Sequence, residues 1–172
     1  MIALRIALAL VVAVAGYEVG CLFADRLRHR VQELDEWQAF LGLLASDVAY
    51  SALALPEALA AAQKSLNGPA RELAQRLSSR LEGHVRLAEV WREELERLRP
   101  RSCLMPDDLQ PLLELGDALG RYGREEHRAH FAHCQERLAV QRRQALEADE
   151  RGRRLWRTIG AAAGMAVALL LV

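Results

Sequence analysis

Apolar residues crowd both ends of the chain and recur at three- and four-residue steps between them. Ile6 to Ala24 is a run of 19 mostly apolar residues, which at about 1.5 Å per residue reaches roughly 28 Å, near the hydrocarbon thickness of a bilayer. The last run, Ile159 to Val172, has 14. Counted back to Leu155 and Trp156, with Arg157 reaching for headgroups and Trp156 as an interfacial anchor, it becomes long enough for a thin bilayer.

Between the ends the pattern predicts six helices. In the first, Leu27 to Leu53, apolar residues recur at Leu34, Trp37, Leu41, Leu44 and Val48. Pro56 suits the first turn of a short second helix, and Asn67-Gly68-Pro69 stops it and opens a third through Leu81. A fourth, from about Leu87 to Leu98, buries Leu87, Val90, Trp91, Leu95 and Leu98 until Pro100 closes it. Pro106-Asp107-Asp108 opens the fifth with acids at its positive end, and Gly116 and Gly120 allow close packing or termination. The sixth runs from Arg124 without a breaker until Gly152, with a thin seven-residue stripe of Phe131, Leu138, Ala145 or Leu146, and Leu155. Such a stripe suits a helix that packs on one neighbour and then continues as a charged stalk.

Composition agrees. Leu, Ala, Arg and Glu dominate, and aromatic residues make up only 5%, which favours helix over strand. The predicted fold is all-α: a six-helix bundle-like domain over residues 25–157, flanked by transmembrane helices at 1–24 and 158–172.

The formal net charge is zero, but a gradient lies beneath it. Arg26, Arg28 and Arg30 against Asp25, with Arg151, Arg153, Arg154 and Arg157, make the two inner flanks of the apolar ends net +6, so residues 31–150 are net −6. A nucleic-acid binder would show a basic working surface instead. Lys- and Arg-rich flanks stay cytoplasmic, so these arginines set the orientation: the middle is cytoplasmic and both termini lie across the membrane.

The stretch VAVAGYEVGC at 12–21 carries competing signals. Ala13-Val14-Ala15 fits a signal-peptidase site, which would yield an exported soluble helical protein after cleavage at Ala15; the arginines flanking the second apolar run would then lie on the wrong side. Val19-Gly20-Cys21 ends like a lipobox, but Glu18 stands where an aliphatic residue is expected. As an uncut span, the stretch puts Ala9, Ala13, Gly16 and Gly20 on one stripe, matched by Gly160, Gly164 and Ala168 in the second span, so that helix backbones can approach closely. Glu18 faces away from that stripe. An ionisable group in a span usually faces protein or water, so Glu18 reads as a contact to a further subunit or as a residue close enough to the boundary to reach headgroups.

Candidate chemistry is sparse. His127, His130 and His133 at three-residue spacing rotate around a helix and do not converge on one ion; His130 and Cys134 share a face, but no further ligand cluster accompanies them. Three cysteines, Cys21, Cys103 and Cys134, lie far apart and give no zinc or disulfide framework. Glu93, Glu94 and Glu96 read as a helix surface. Phosphate-loop, dinucleotide and esterase motifs do not occur in the sequence, so it predicts no catalytic residues, no metal site and no cofactor.

The ordered segments LLASDVAYSALALPEAL (43–59), AEVWREEL (88–95), LLELGDALG (112–120) and LWRTIGAAAG (155–164), after a span followed by arginines, closely resemble the stage III sporulation protein AB family. The resemblance covers essentially the whole chain. Asp47 stands where the family usually has glutamate, and LGRYGREEH lacks a Ser or Asp cap before the sixth helix. The resemblance implies a cytoplasmic helical domain similar to those of type II secretion F proteins. It also implies membership of the channel complex joining mother cell and forespore, as a non-enzymatic membrane scaffold on the mother-cell side. The implied partners are the sporulation ATPase, other membrane subunits of the channel and further copies of itself, with no nucleic acid. The purified chain should keep its N-terminus: intact mass should include residues 1–15, and a chain beginning at Gly16 would favour the exported protein.

Overall fold

The structure is a computed structural model that describes residues 25–50, 53–81, 86–119 and 124–171, apart from the side chains of 49, 50, 124, 125, 153, 154 and 156–171. The predicted first span, with Gly16, Glu18 and Gly20, lies outside the described residues, as do Gly120 and Tyr122. Every regular element described is helical, in agreement with the all-α expectation. Helix α1 covers 25–44 and passes into a π-helix, Ala45–Tyr50. It is followed by α2 (Leu55–Ala62), α3 (Gly68–Arg80), α4 (Leu87–Leu98), a 3-10 turn (Arg99–Arg101), α5 (Pro106–Leu119) and α6 (Arg124–Leu171).

The described residues fall into two compact units, one of Arg30–Gln144 and the other containing 25–29 and 145–171. In the larger unit α1 buries Leu34, Trp37, Phe40, Leu41 and Leu44, one stripe at helical spacing. Helix α3 places Ala70, Leu73, Ala74 and Leu77 between α2 and α4, which it packs against on either side. Gly68 opens α3 with φ +59°, a left-handed backbone angle that calls for glycine, and the tip of the Glu36 side chain lies over the space a Cβ would take.

Trp91 of α4 is fully buried, stacks on Phe40 of α1 at 6.2 Å between ring centroids, and lies against Gly116 of α5. Its indole Nε1–H donates to the Leu112 carbonyl at 2.8 Å, one turn before Gly116 on the same face of α5. The absent side chain at Gly116 is what lets the ring reach that carbonyl: a Cβ there would sit 2.2 Å from Trp91 Cδ1. Gly116 therefore serves close packing, as expected, and α5 continues past it to Leu119. Pro111 also sits within α5, and its carbonyl accepts from the buried Cys134 thiol of α6 at 3.4 Å. The α6 stripe is confirmed at Phe131, Leu138 and Ala145, with Cys134 added.

In the smaller unit Ala145 and Asp149 are buried, and Gly152 is close to Leu27: a Cβ there would make ordinary contact at 3.8 Å. Leu155, expected in the stripe, is 61% exposed. Gly152 does not interrupt α6, because neighbouring good helix formers outweigh the roughly 1 kcal/mol propensity deficit of one glycine. Among the described residues no helix is long and apolar enough to cross a membrane. Gly160 and Gly164 lie on α6, and the side chains around them are outside the described residues.

Replacing Gly116 with alanine sets a clash against a gain in helix propensity. Overpacking a full core costs about 1–3 kcal/mol, and helix propensity returns about 1. A contact this short on a hydrogen-bonded ring belongs at the upper end, so Gly116→Ala should destabilise by about 2 kcal/mol in denaturant titrations; a stabilised variant would mean that Trp91 is free to move away.

Candidate functional site

Two polar networks stand inside the larger unit. The first joins α1 to the segment between α4 and α5. Arg30 is buried and donates through Nε and Nη2 to the two carboxylate oxygens of Asp108, each at 2.8 Å. Asp108 Oδ2 also accepts from the Met105 backbone N–H at 2.8 Å, so the same carboxylate caps the start of α5. One turn after Arg30, buried Glu33 accepts from Ser102 Oγ at 2.5 Å and from the Cys103 backbone N–H at 2.8 Å. Two residues of one α1 turn thus hold residues 102–108. Glu36, the next turn on, has its carboxyl raised above the usual range by burial and then by the charge of Glu33.

The second network joins α3 to α4. Glu94, read from sequence as surface, is buried, with a side chain 1% exposed. It lies three residues after Trp91 and four after Val90, on the inward face of α4, so helical spacing alone could have placed it there. Burial is sustained by arginines: Arg80 Nη1 at 2.5 Å and Arg97 Nη1 at 3.1 Å share its Oε1, and Arg76 Nη1 lies 3.5 Å from Oε2. Arg76 also donates to Glu72 Oε1 at 2.7 Å through Nη2, and that oxygen accepts from Arg101 Nη2 at the same distance. Arg80 reaches Glu93 at 2.9 Å. Hydrogen bonds from Arg101 first, and then Arg76, hold the Glu72 carboxyl below its usual range, while the bond to Glu94 raises Arg80 further.

Of the residues predicted to set orientation, Arg26 and Arg28 are exposed, while Arg30 is buried on Asp108. The side chains of Arg153, Arg154 and Arg157 lie outside the described residues. His127 and His130 are half-buried, His133 is exposed, and burial pushes the Cys134 thiol up to about 12. No group of three or more potential metal ligands occurs among the described residues.

Residues 5–172 match the family described as stage III sporulation protein AB. In structure the chain is similar to a solved stage III sporulation protein AB, with a TM-score of 0.66 and 21% identity, covering 71% of this chain and 97% of that one. No protein of curated function matches it in sequence.

Asp108→Ala should cost about 3–5 kcal/mol, because it leaves the Arg30 guanidinium buried without a counter-charge. Arg30→Met combined with Asp108→Leu should recover much of that loss in denaturant titrations followed by tryptophan fluorescence. A double variant as damaged as the single one would show that charge pairing is not what Asp108 contributes.

Proposed function

The chain belongs to the stage III sporulation protein AB family, and from that premise we propose that it is a non-enzymatic scaffold subunit of the channel complex between mother cell and forespore. Family membership suggests a sporulation-related role; the scaffold reading goes further. The observation that carries it is the extent of the match, which takes in both apolar ends together with the helical domain. A domain carried between two terminal spans is suited to transmit contacts across a membrane boundary, and the buried polar groups of the two networks are spent on joining helices.

In this reading residues 1–24 and 158–172 cross the membrane, and the helical domain stands on the mother-cell cytoplasmic side, similar to type II secretion F domains. It docks the sporulation ATPase there, and the spans meet other membrane subunits, with Glu18 as one contact. The exposed Arg26 and Arg28 support a cytoplasmic position for the start of α1.

Thiol labelling tests the topology. With Cys21 replaced by serine, Cys103, half-buried in the loop before α5, should resist a membrane-impermeant maleimide in intact cells and react once they are permeabilised. Cys134 should stay unlabelled until the chain is unfolded, since its thiol is buried and its pKa lies near 12. Labelling of Cys103 in intact cells would remove the cytoplasmic domain and the ATPase docking with it.

A further inference from the structure

The α3–α4 network contains more positive than negative charge. Arg76, Arg80, Arg97 and Arg101 face Glu72, Glu93 and Glu94, four cations to three anions. The anion at its centre is hidden while the cations are not: Glu94 is 1% exposed, Arg97 58% and Arg101 63%. Arg80 and Arg76 both link α3 to α4, Arg80 by binding Glu93 and Glu94 together and Arg76 by lying 3.5 Å from the other oxygen of Glu94. Arg97 bonds within its own helix and commits only Nη1 to Glu94; Arg101 commits only Nη2 to Glu72. Each guanidinium carries five N–H donors, so an outer edge of both remains for a further carboxylate, which a guanidinium can take in bidentate fashion.

We propose that this arginine network is the docking site for an acidic segment of a partner protein, whose carboxylates seat on Arg97 and Arg101. Charge selects the site. Residues 31–150 are net −6, so an acidic partner is repelled over most of the domain and finds favourable potential where the arginines outnumber their acids. Glu94 holds Arg97 and Glu72 holds Arg101 before the partner arrives, reducing the ordering cost of binding. A protein segment suits this surface better than a lipid face. Glu72 and Glu93 stand 31% and 56% exposed among the arginines and would oppose a plane of phosphates, whereas a chain can thread carboxylates between them. The proposal names a surface and a chemistry and does not depend on which subunit brings the segment or on the membrane topology.

A fluorescent oligoglutamate peptide is the probe, with the full chain in nonionic detergent and binding read by anisotropy at low salt. The wild type should bind it and release it as salt rises. Arg97→Glu with Arg101→Glu should weaken binding by about tenfold or more, and Arg86→Glu, which reverses a more exposed charge outside the network, by less than about twofold. Reversal at Arg97 places a like charge beside buried Glu94 and should lower the thermal midpoint, so Arg97→Gln with Arg101→Gln, which should still weaken binding severalfold, is measured alongside at a temperature where both variants are folded. Failure of the wild type to bind would overturn the proposal. So would an equal loss in Arg86→Glu, undiminished binding by either double variant, or displacement of the peptide by short-chain phosphatidylglycerol as effective as that by unlabelled peptide. None of these outcomes bears on the labelling of Cys103, so the two readings fail separately.

Discussion

The packing of the larger unit depends on the indole of Trp91. It brings three helices together: its own, α1 through the stack on Phe40, and α5 through Gly116 and the Leu112 carbonyl. Phe40 in turn meets Trp37 edge to face at 5.7 Å, so the three rings form one continuous aromatic path in a chain with few aromatics. Fully burying such a ring is worth several kcal/mol, and its N–H would forfeit part of that without a partner. The glycine supplies the partner by exposing a helical carbonyl that another residue would cover.

Around this apolar centre the polar networks act as joints. Asp108 answers two demands with one carboxylate, neutralising Arg30 and capping α5 through the Met105 N–H. Such a group is costly to bury alone, and here both its oxygens accept hydrogen bonds. Glu94 solves the same problem differently, surrounding itself with guanidiniums that are themselves open to solvent. The first solution closes a joint and leaves nothing over; the second leaves cations at the surface. Stability and recognition are thus drawn from the same kind of ion pair, separated by how much of the arginine is covered.

Much of this order was legible in the chain. Leu87–Leu98 follows from its apolar steps and the proline beyond, and the acids after Pro106 mark the start of α5 as found. Gly116 was readable as a site of close approach, though not its partner, since spacing says nothing about which helix lies opposite. Glu94 was misjudged by residue type although its position on the face of Val90 and Trp91 announced burial. Arg30 sits with arginines that flank an apolar run, and only the three-dimensional arrangement brings Asp108 to it. The π-helix at Ala45–Tyr50 left no local mark, because one additional residue in a turn barely disturbs a helical period. Leu155 was drawn into the stripe by continuing a seven-residue repeat, and it is exposed.

The bond between Arg30 and Asp108 also sets a schedule. Its partners are 78 residues apart in the chain, and the α1 face around Phe40 is completed only when Trp91 follows it. At about 5–20 residues per second of synthesis, α1 waits roughly 4–16 s for the carboxylate that neutralises its arginine. During that interval its apolar stripe and an unpaired buried-type charge are presented to whatever surrounds the nascent chain. The joint between α1 and α5 therefore closes only once synthesis has passed Asp108.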